Sequence, residues 1–207
     1  MPEPGAAALV RRVLKPILWI ACLAPAGWLV HGLIRQDLGA DPVKTLTHTT
    51  GLSALVILLV TLAVTPVRRL LDQPALIRLR RPLGLFAFFY ATLHLAIYAV
   101  FDHRLSVAEI GADIIEHPWV LVGFLAFLIL ALLAATSPVA MVRRLGRRWQ
   151  RLHRLVYLAA GLAVLHFFWL VKWDASEPLV YAAVLAVLLI SRLIVRPRHK
   201  RSASPGS

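Results

Sequence analysis

Eight histidines occur in the 207-residue chain, and three of them, His94, His153 and His166, fall in or at the start of long apolar runs. An ionisable side chain at membrane depth is costly to bury, so it marks a functional position by default. His94 lies 13 residues beyond Arg81 on one run, roughly 20 Å along a helix, and His166 lies 15 residues beyond Arg151 on another, roughly 22 Å along. Both runs proceed in the same direction across the membrane, so the two imidazoles are level. Two facing imidazoles at one depth are what axial ligation of a haem iron requires, each ring giving one nitrogen to opposite faces of a flat macrocycle. The same pair could instead relay protons or bind a metal ion in a channel or transporter, a reading that predicts a colourless protein.

The neighbours of both histidines are small. One helix face reads Ala87, Ala91, His94 and the other Ala159, Ala163, His166, with the same spacing. Such a stripe is either a tight helix contact or a slot wide enough for a porphyrin. Two matching stripes that each end in a histidine favour the slot.

His153 begins the run that carries His166. The 13 residues between them place it about 140° around a straight helix from His166, which separates it from the same haem. Arg80 and Arg81 stand at the matching depth on the other run, so a second bis-histidine haem has no visible partner. The plain reading of His153 is an interfacial residue among arginines, and a role at a donor site has similar weight. His31 and His48 read as interfacial residues at outer helix ends, His103 and His117 belong in or beside the third loop, and His199 sits in the tail.

Membrane helices must position these side chains. The chain is 59% hydrophobic and 16% charged, with a mean hydropathy of +0.75, far from soluble composition. Six apolar runs are long enough to cross a bilayer: Ile17 to Ile34, Leu46 to Val67, Pro82 to Phe101, Trp119 to Thr136, Leu152 to Val171 and Leu179 to Val195. The expected fold is therefore an all-α integral membrane bundle of six helices. It has a short tail over 1–14, a transmembrane domain over 15–195 and a basic, disordered tail over 196–207. The first run is too long for a signal-peptide core and lacks a small-residue cleavage site, so it reads as an anchor.

The net charge of +13 sorts along these runs. The N-terminal tail, the second loop, the fourth loop and the C-terminal tail hold 19 of the 23 lysines and arginines with only two acids, Glu3 and Asp72. The opposite side holds Arg35, Lys44, Arg104 and Lys172 against eight acids. By the positive-inside rule both termini are cytoplasmic. This topology accounts for the basic charge, and nucleic-acid binding, which needs a basic face on a soluble domain, is set aside.

Absent motifs narrow the chemistry further. With Cys22 alone there is neither a disulfide nor a C-x-x-C-H attachment, so any haem is non-covalent, of the b type. No strand pattern or G-x-G-x-x-G context supports a nicotinamide domain, so the electron donor lies elsewhere. Nucleophilic triads and H-E-x-x-H are missing as well, and the runs lack intramembrane carboxylates. The chain thus has no complete catalytic site of its own and reads as an electron-transfer subunit.

Two segments carry a family resemblance. Arg80-Arg81-Pro82-Leu83-Gly84-Leu85 leading to His94, and Trp149-Gln150-Arg151-Leu152-His153-Arg154-Leu155-Val156-Tyr157 leading to His166, resemble the ferric-reductase-like transmembrane family over essentially residues 10–197. The resemblance implies haem b held through His94, His153 and His166, with His94 and His166 as axial ligands. It also implies FMN, for whose phosphate the arginines of the second and fourth loops are the available partners. By this resemblance the protein sits in a bacterial inner membrane. It takes electrons from the quinone pool or a cytoplasmic flavin reductase and passes them to a periplasmic molybdenum enzyme that reduces methionine sulfoxide in oxidised proteins. Family members of the oxidase type carry two histidines on each helix, whereas this chain has Arg80 and Arg81 where the fourth would fall.

Overall fold

The computed structural model describes residues 8–171 and 175–194, with only the backbone of 193 and 194, and all regular structure among them is helical. Expectations that fall on 1–7, 172–174 or 195–207, including Lys172, His199 and the basic tail, lie outside the described residues. Apolar composition explains the uniform choice of helix, because in hydrocarbon every backbone N–H and C=O must be satisfied within its own segment.

Helix α1 (Lys15–Arg35) follows a single π-type turn, Val10–Leu14. Helix α2 (Pro42–Leu70) starts where the Asp41 side chain accepts the Lys44 backbone N–H at 3.0 Å and Pro42 supplies a pre-set φ. A 3-10 turn, Pro74–Leu79, leads into α3 (Arg80–Ile97), which continues through a π-type turn, Tyr98–Asp102. Next come α4 (Val107–Glu116) and α5 (Pro118–Ala135). Two short helices, α6 (Val139–Leu145) and α7 (Arg147–Leu152), are separated by Gly146, whose φ of 50° suits glycine. Helices α8 (Leu155–Leu170) and α9 (Ser176–Ile194) complete the described chain.

Five segments are long and apolar enough to span a membrane: Val10–Arg35, Pro42–Leu70, Pro74–Asp102, Pro118–Ala135 and Arg147–Leu170. The chain is thus a multi-pass helical membrane protein. The sixth expected run, Leu179 to Val195, falls on α9, whose end coincides with the last described residue. Outward faces carry the apolar surface that lipid would cover, such as Ile20, Ile34 and Leu70.

Two differences from the sequence expectation matter. The third loop contains α4, a ten-residue helix capped by Ser106, whose hydroxyl accepts the Glu109 N–H at 3.4 Å. The S-x-x-E signature of a capping box marks this start in the sequence. The run expected from Leu152 is also not one straight helix, because His153 and Arg154 form a turn between α7 and α8. The straight-helix angle between His153 and His166 therefore does not apply.

The core is organised as two helix pairs. Helix α2 packs most extensively on α3, and α5 on α8; α9 closes against α8 and α2, and α1 lies on α2. By contrast, α3 and α8 make little direct backbone contact with each other. Leu58, Leu62, Ala87, Tyr90, Ala159 and Ala160 are almost wholly buried at the centre.

Tyr90, one turn before His94, ties α1 to this core. Its hydroxyl accepts the Ala26 N–H at 3.0 Å and donates to the Cys22 carbonyl at 2.6 Å, entering the α1 hydrogen-bond ladder beside Pro25. Cys22 is buried there as a small core residue. Tyr90→Phe leaves that donor and acceptor without their partner in a dry site, so the variant is expected to lose about 1–3 kcal/mol of stability. Unfolding in detergent micelles measures this loss, and an unchanged midpoint would contradict the bridging role.

Candidate functional site

His94 on α3 and His166 on α8 face each other, with ring centroids 6.2 Å apart and planes crossed at 81°. Each ring is anchored on the far side by the backbone of its own partner helix. Nδ1 of His94 lies 2.9 Å from the Thr47 carbonyl on α2, and Nδ1 of His166 lies 2.7 Å from the Trp119 carbonyl on α5. A carbonyl can only accept, so Nδ1 must carry the proton in both rings and Nε2 keeps its lone pair. Among the described residues neither Nε2 has a hydrogen-bond partner. Locking a histidine through Nδ1–H to a carbonyl is how proteins orient an imidazole for metal ligation.

The spacing fits one metal between the rings. A metal–imidazole bond of about 2.0–2.1 Å, plus about 1.1 Å from nitrogen to ring centre, separates two axial ligand rings by about 6 Å. Helices α3 and α8 pack on α2 and α5 rather than on each other, so the two rings meet across the seam between the helix pairs. The small-residue stripes are graded in burial. Ala87 and Ala159 are fully buried in helix contacts, whereas Ala91 and Ala163, one turn below each histidine, are only half-buried.

His153 is placed elsewhere. Its ring stacks on Trp149 with centroids 3.9 Å apart, and Nε2 lies 3.2 Å from the Thr136 hydroxyl at the end of α5. That hydroxyl gives its proton to the Leu132 carbonyl at 2.7 Å, so the His153 Nε2 is the donor, the opposite tautomer from the other two. Trp149 Nε1 also donates to the Thr136 carbonyl, at 2.9 Å. The structure therefore brings His94 and His166 together and leaves His153 outside the pair.

Beyond His94, towards the C-terminal end of α3, lies a polar cluster that sequence reasoning left as loop. Tyr98, one turn beyond His94, donates to the Asp113 carboxylate on α4, and His103 and His117 approach the same carboxylate at 3.3 and 2.7 Å. His117 in turn lies against Trp119, with rings 4.7 Å apart. His48 on α2 pairs with Glu177 on α9 at 3.9 Å. Burial pushes the Asp113 carboxyl up, but the Tyr98 and His117 hydrogen bonds, with the charges of His117 and His103, outweigh it and hold the group below its ordinary value. A depressed folded-state value adds stability above the unfolded carboxylate value and loses it as pH falls through the folded one. Amide protection factors in α4, taken relative to intrinsic exchange at each pH, are accordingly expected to hold down to the ordinary carboxylate range and to fall below it, while Asp113→Asn is less protected throughout.

The fold is thus a multi-pass bundle of membrane helices that presents two facing imidazoles, each locked through Nδ1 to a backbone carbonyl. The family described as "Ferric reductase like transmembrane component" matches residues 50–164, more than half of the chain, and the chain belongs to that family. Its relatives narrow the likeness. It is 48% identical over 204 residues to the "Protein-methionine-sulfoxide reductase heme-binding subunit MsrQ" of Xanthomonas oryzae pv. oryzae, covering 93% of this chain and 94% of the relative. Proteins of the same name from Herminiimonas arsenicoxydans and Bordetella pertussis are 45% and 46% identical, covering 94% and 97% of this chain and 92% and 99% of the relatives.

Proposed function

We propose that this chain is the haem-binding, electron-transferring membrane subunit of a methionine sulfoxide reductase system. That haem would be of the b type, and His94 and His166 would hold its iron. The observation that carries the reading is the facing imidazole pair, 6.2 Å apart between centroids, with both Nδ1 positions committed to backbone carbonyls. The names of the relatives, which state haem binding, support it.

A bound haem would supply a one-electron ferric/ferrous couple. The chain's own part is to hold and to exclude. His94 and His166 present Nε2, and the Thr47 and Trp119 carbonyls hold both rings in the required tautomer. Ala91 and Ala163 keep the helix faces below the rings narrow, and the core around Leu58, Leu62 and Tyr90 keeps water out. No residue here alters a substrate bond.

The flow we propose runs from quinol, or from a cytoplasmic flavin reductase through FMN, to a periplasmic molybdenum-containing methionine sulfoxide reductase (MsrP) in the bacterial inner membrane. The arrangement has six spans with both termini cytoplasmic. His153, among the arginines of the inner side, is assigned to that donor end rather than to the iron between His94 and His166.

Absorption spectra of the detergent-purified chain before and after dithionite test the reading. A sharp Soret band with a reduced α-band is expected. A colourless protein from haem-replete cells would favour the transporter alternative, although among the described residues no three His, Cys, Asp or Glu are grouped to hold a metal ion.

A further inference from the structure

The two halves of the site are built alike beyond their histidines. Each Nδ1 reaches a carbonyl 47 residues earlier in the chain, Thr47 for His94 and Trp119 for His166. Four residues after each accepting carbonyl stands a glycine, Gly51 on α2 and Gly123 on α5. A Cβ on Gly51 would meet the His94 ring at 3.0 Å, at both Cε1 and Nδ1; on Gly123 it would meet the His166 Nδ1 at 2.7 Å and Cε1 at 2.8 Å.

Helix geometry explains the coincidence. In an α-helix the carbonyl of residue i already accepts the N–H of residue i+4, and the Cα–Cβ bond tilts towards the N-terminus. A side chain at i+4 therefore lies over the carbonyl of residue i and screens its second lone pair. Glycine removes that screen and lets an imidazole from the neighbouring helix lie against the backbone. The usual use of glycine in membrane helices is close backbone approach. Here the atoms nearest the missing Cβ are those of the ring, not of another backbone.

We infer that Gly51 and Gly123 are positioning residues, forming a matched pair of seats that give the His94 and His166 Nδ1–H groups their carbonyls and so set how both rings present Nε2. The inference rests on the haem-ligand reading above, and the test separates the two.

Haem content, the low-spin ferric electron paramagnetic resonance signal and the midpoint potential are measured for the wild type, His94→Ala, His166→Ala, Gly51→Ala, Gly123→Ala and Gly27→Ala. Nothing lies within 4 Å of a Cβ at Gly27, so that variant is the control. Loss of an outer partner of a metal-bound histidine weakens binding about 10–100-fold, and a loss of that order is expected in Gly123→Ala. A smaller loss is expected in Gly51→Ala, where the contact is less close, together with a displaced low-spin signal in the haem that remains. Helix content should not fall, since alanine is the better helix former. Wild-type haem content, signal and potential in both glycine variants would overturn the seats while leaving the ligands in place. Unchanged haem in both histidine variants would overturn the ligand reading itself. If the glycine variants do not fold, nitrogen-15 spectra of histidine-labelled, haem-free wild type decide. Protonated Nδ1 at His94 and His166 supports the seats, and protonated Nε2 with bare Nδ1 overturns them.

Discussion

Purified His94→Ala and His166→Ala are each expected to lose nearly all bound haem while the helical spectrum of the bundle is kept. On the proposed reading, removing either ring takes away one of the two imidazoles that would hold the iron and leaves the other, already locked through its own Nδ1, alone. The weakening should exceed the roughly 10–100-fold that loss of an outer partner costs. The fold should survive, because both rings are only half-buried and the core is carried by Leu58, Leu62, Ala87, Tyr90 and Ala159. His153→Ala is the contrast. Its ring is committed to Trp149 and Thr136, away from the pair, so the variant should keep its haem. Pyridine haemochrome absorbance per protein measures all three, and near-normal haem in both His94→Ala and His166→Ala would remove the ligand assignment.

The second large effect comes from Ala91 and Ala163. Each lies one turn before His94 or His166, on the same helix face as that histidine. Leucine at either position would take up width that a porphyrin needs, and it adds its bulk at a half-buried site beside the core rather than inside it. Ala91→Leu and Ala163→Leu are therefore expected to fold and to lose haem by an order of magnitude or more, as a misplaced ligand set does. Ala87→Leu and Ala159→Leu should behave differently. Both alanines are fully buried between helices, so the added atoms overpack the core and cost about 1–3 kcal/mol or more of stability. Haem content and thermal unfolding, measured together, separate the two classes. Equal haem retention in all four variants would show that the stripes are helix contacts along their whole length.

The stripe illustrates how far the sequence could be read. Spacing alone matched Ala87, Ala91, His94 to Ala159, Ala163, His166, but it offered helix contact and slot as one choice for the whole stripe. In the structure the stripe is graded, with the lower alanine fully buried between helices and the upper one half-buried at the edge of the core. His153 shows the opposite failure. A straight helix was the natural assumption for an unbroken apolar run, yet the side chain of Trp149 and the end of α5 hold His153 in a turn. Helix α4 was legible in its Ser106–Glu109 cap, although a ten-residue helix is too short to emerge from a search for membrane spans.

The sequence by itself determined that this is a helical membrane protein with two histidines at one depth, because hydropathy and ionisable type belong to each residue wherever it ends up. Only the tertiary structure decided which nitrogen each imidazole offers, that His153 stands apart, and that Gly51 and Gly123 make room for the rings. Those outcomes depend on the carbonyls of Thr47 and Trp119, each 47 residues from the ring it binds. Every residue carries a carbonyl, so nothing in the sequence distinguishes these two until the helices are packed.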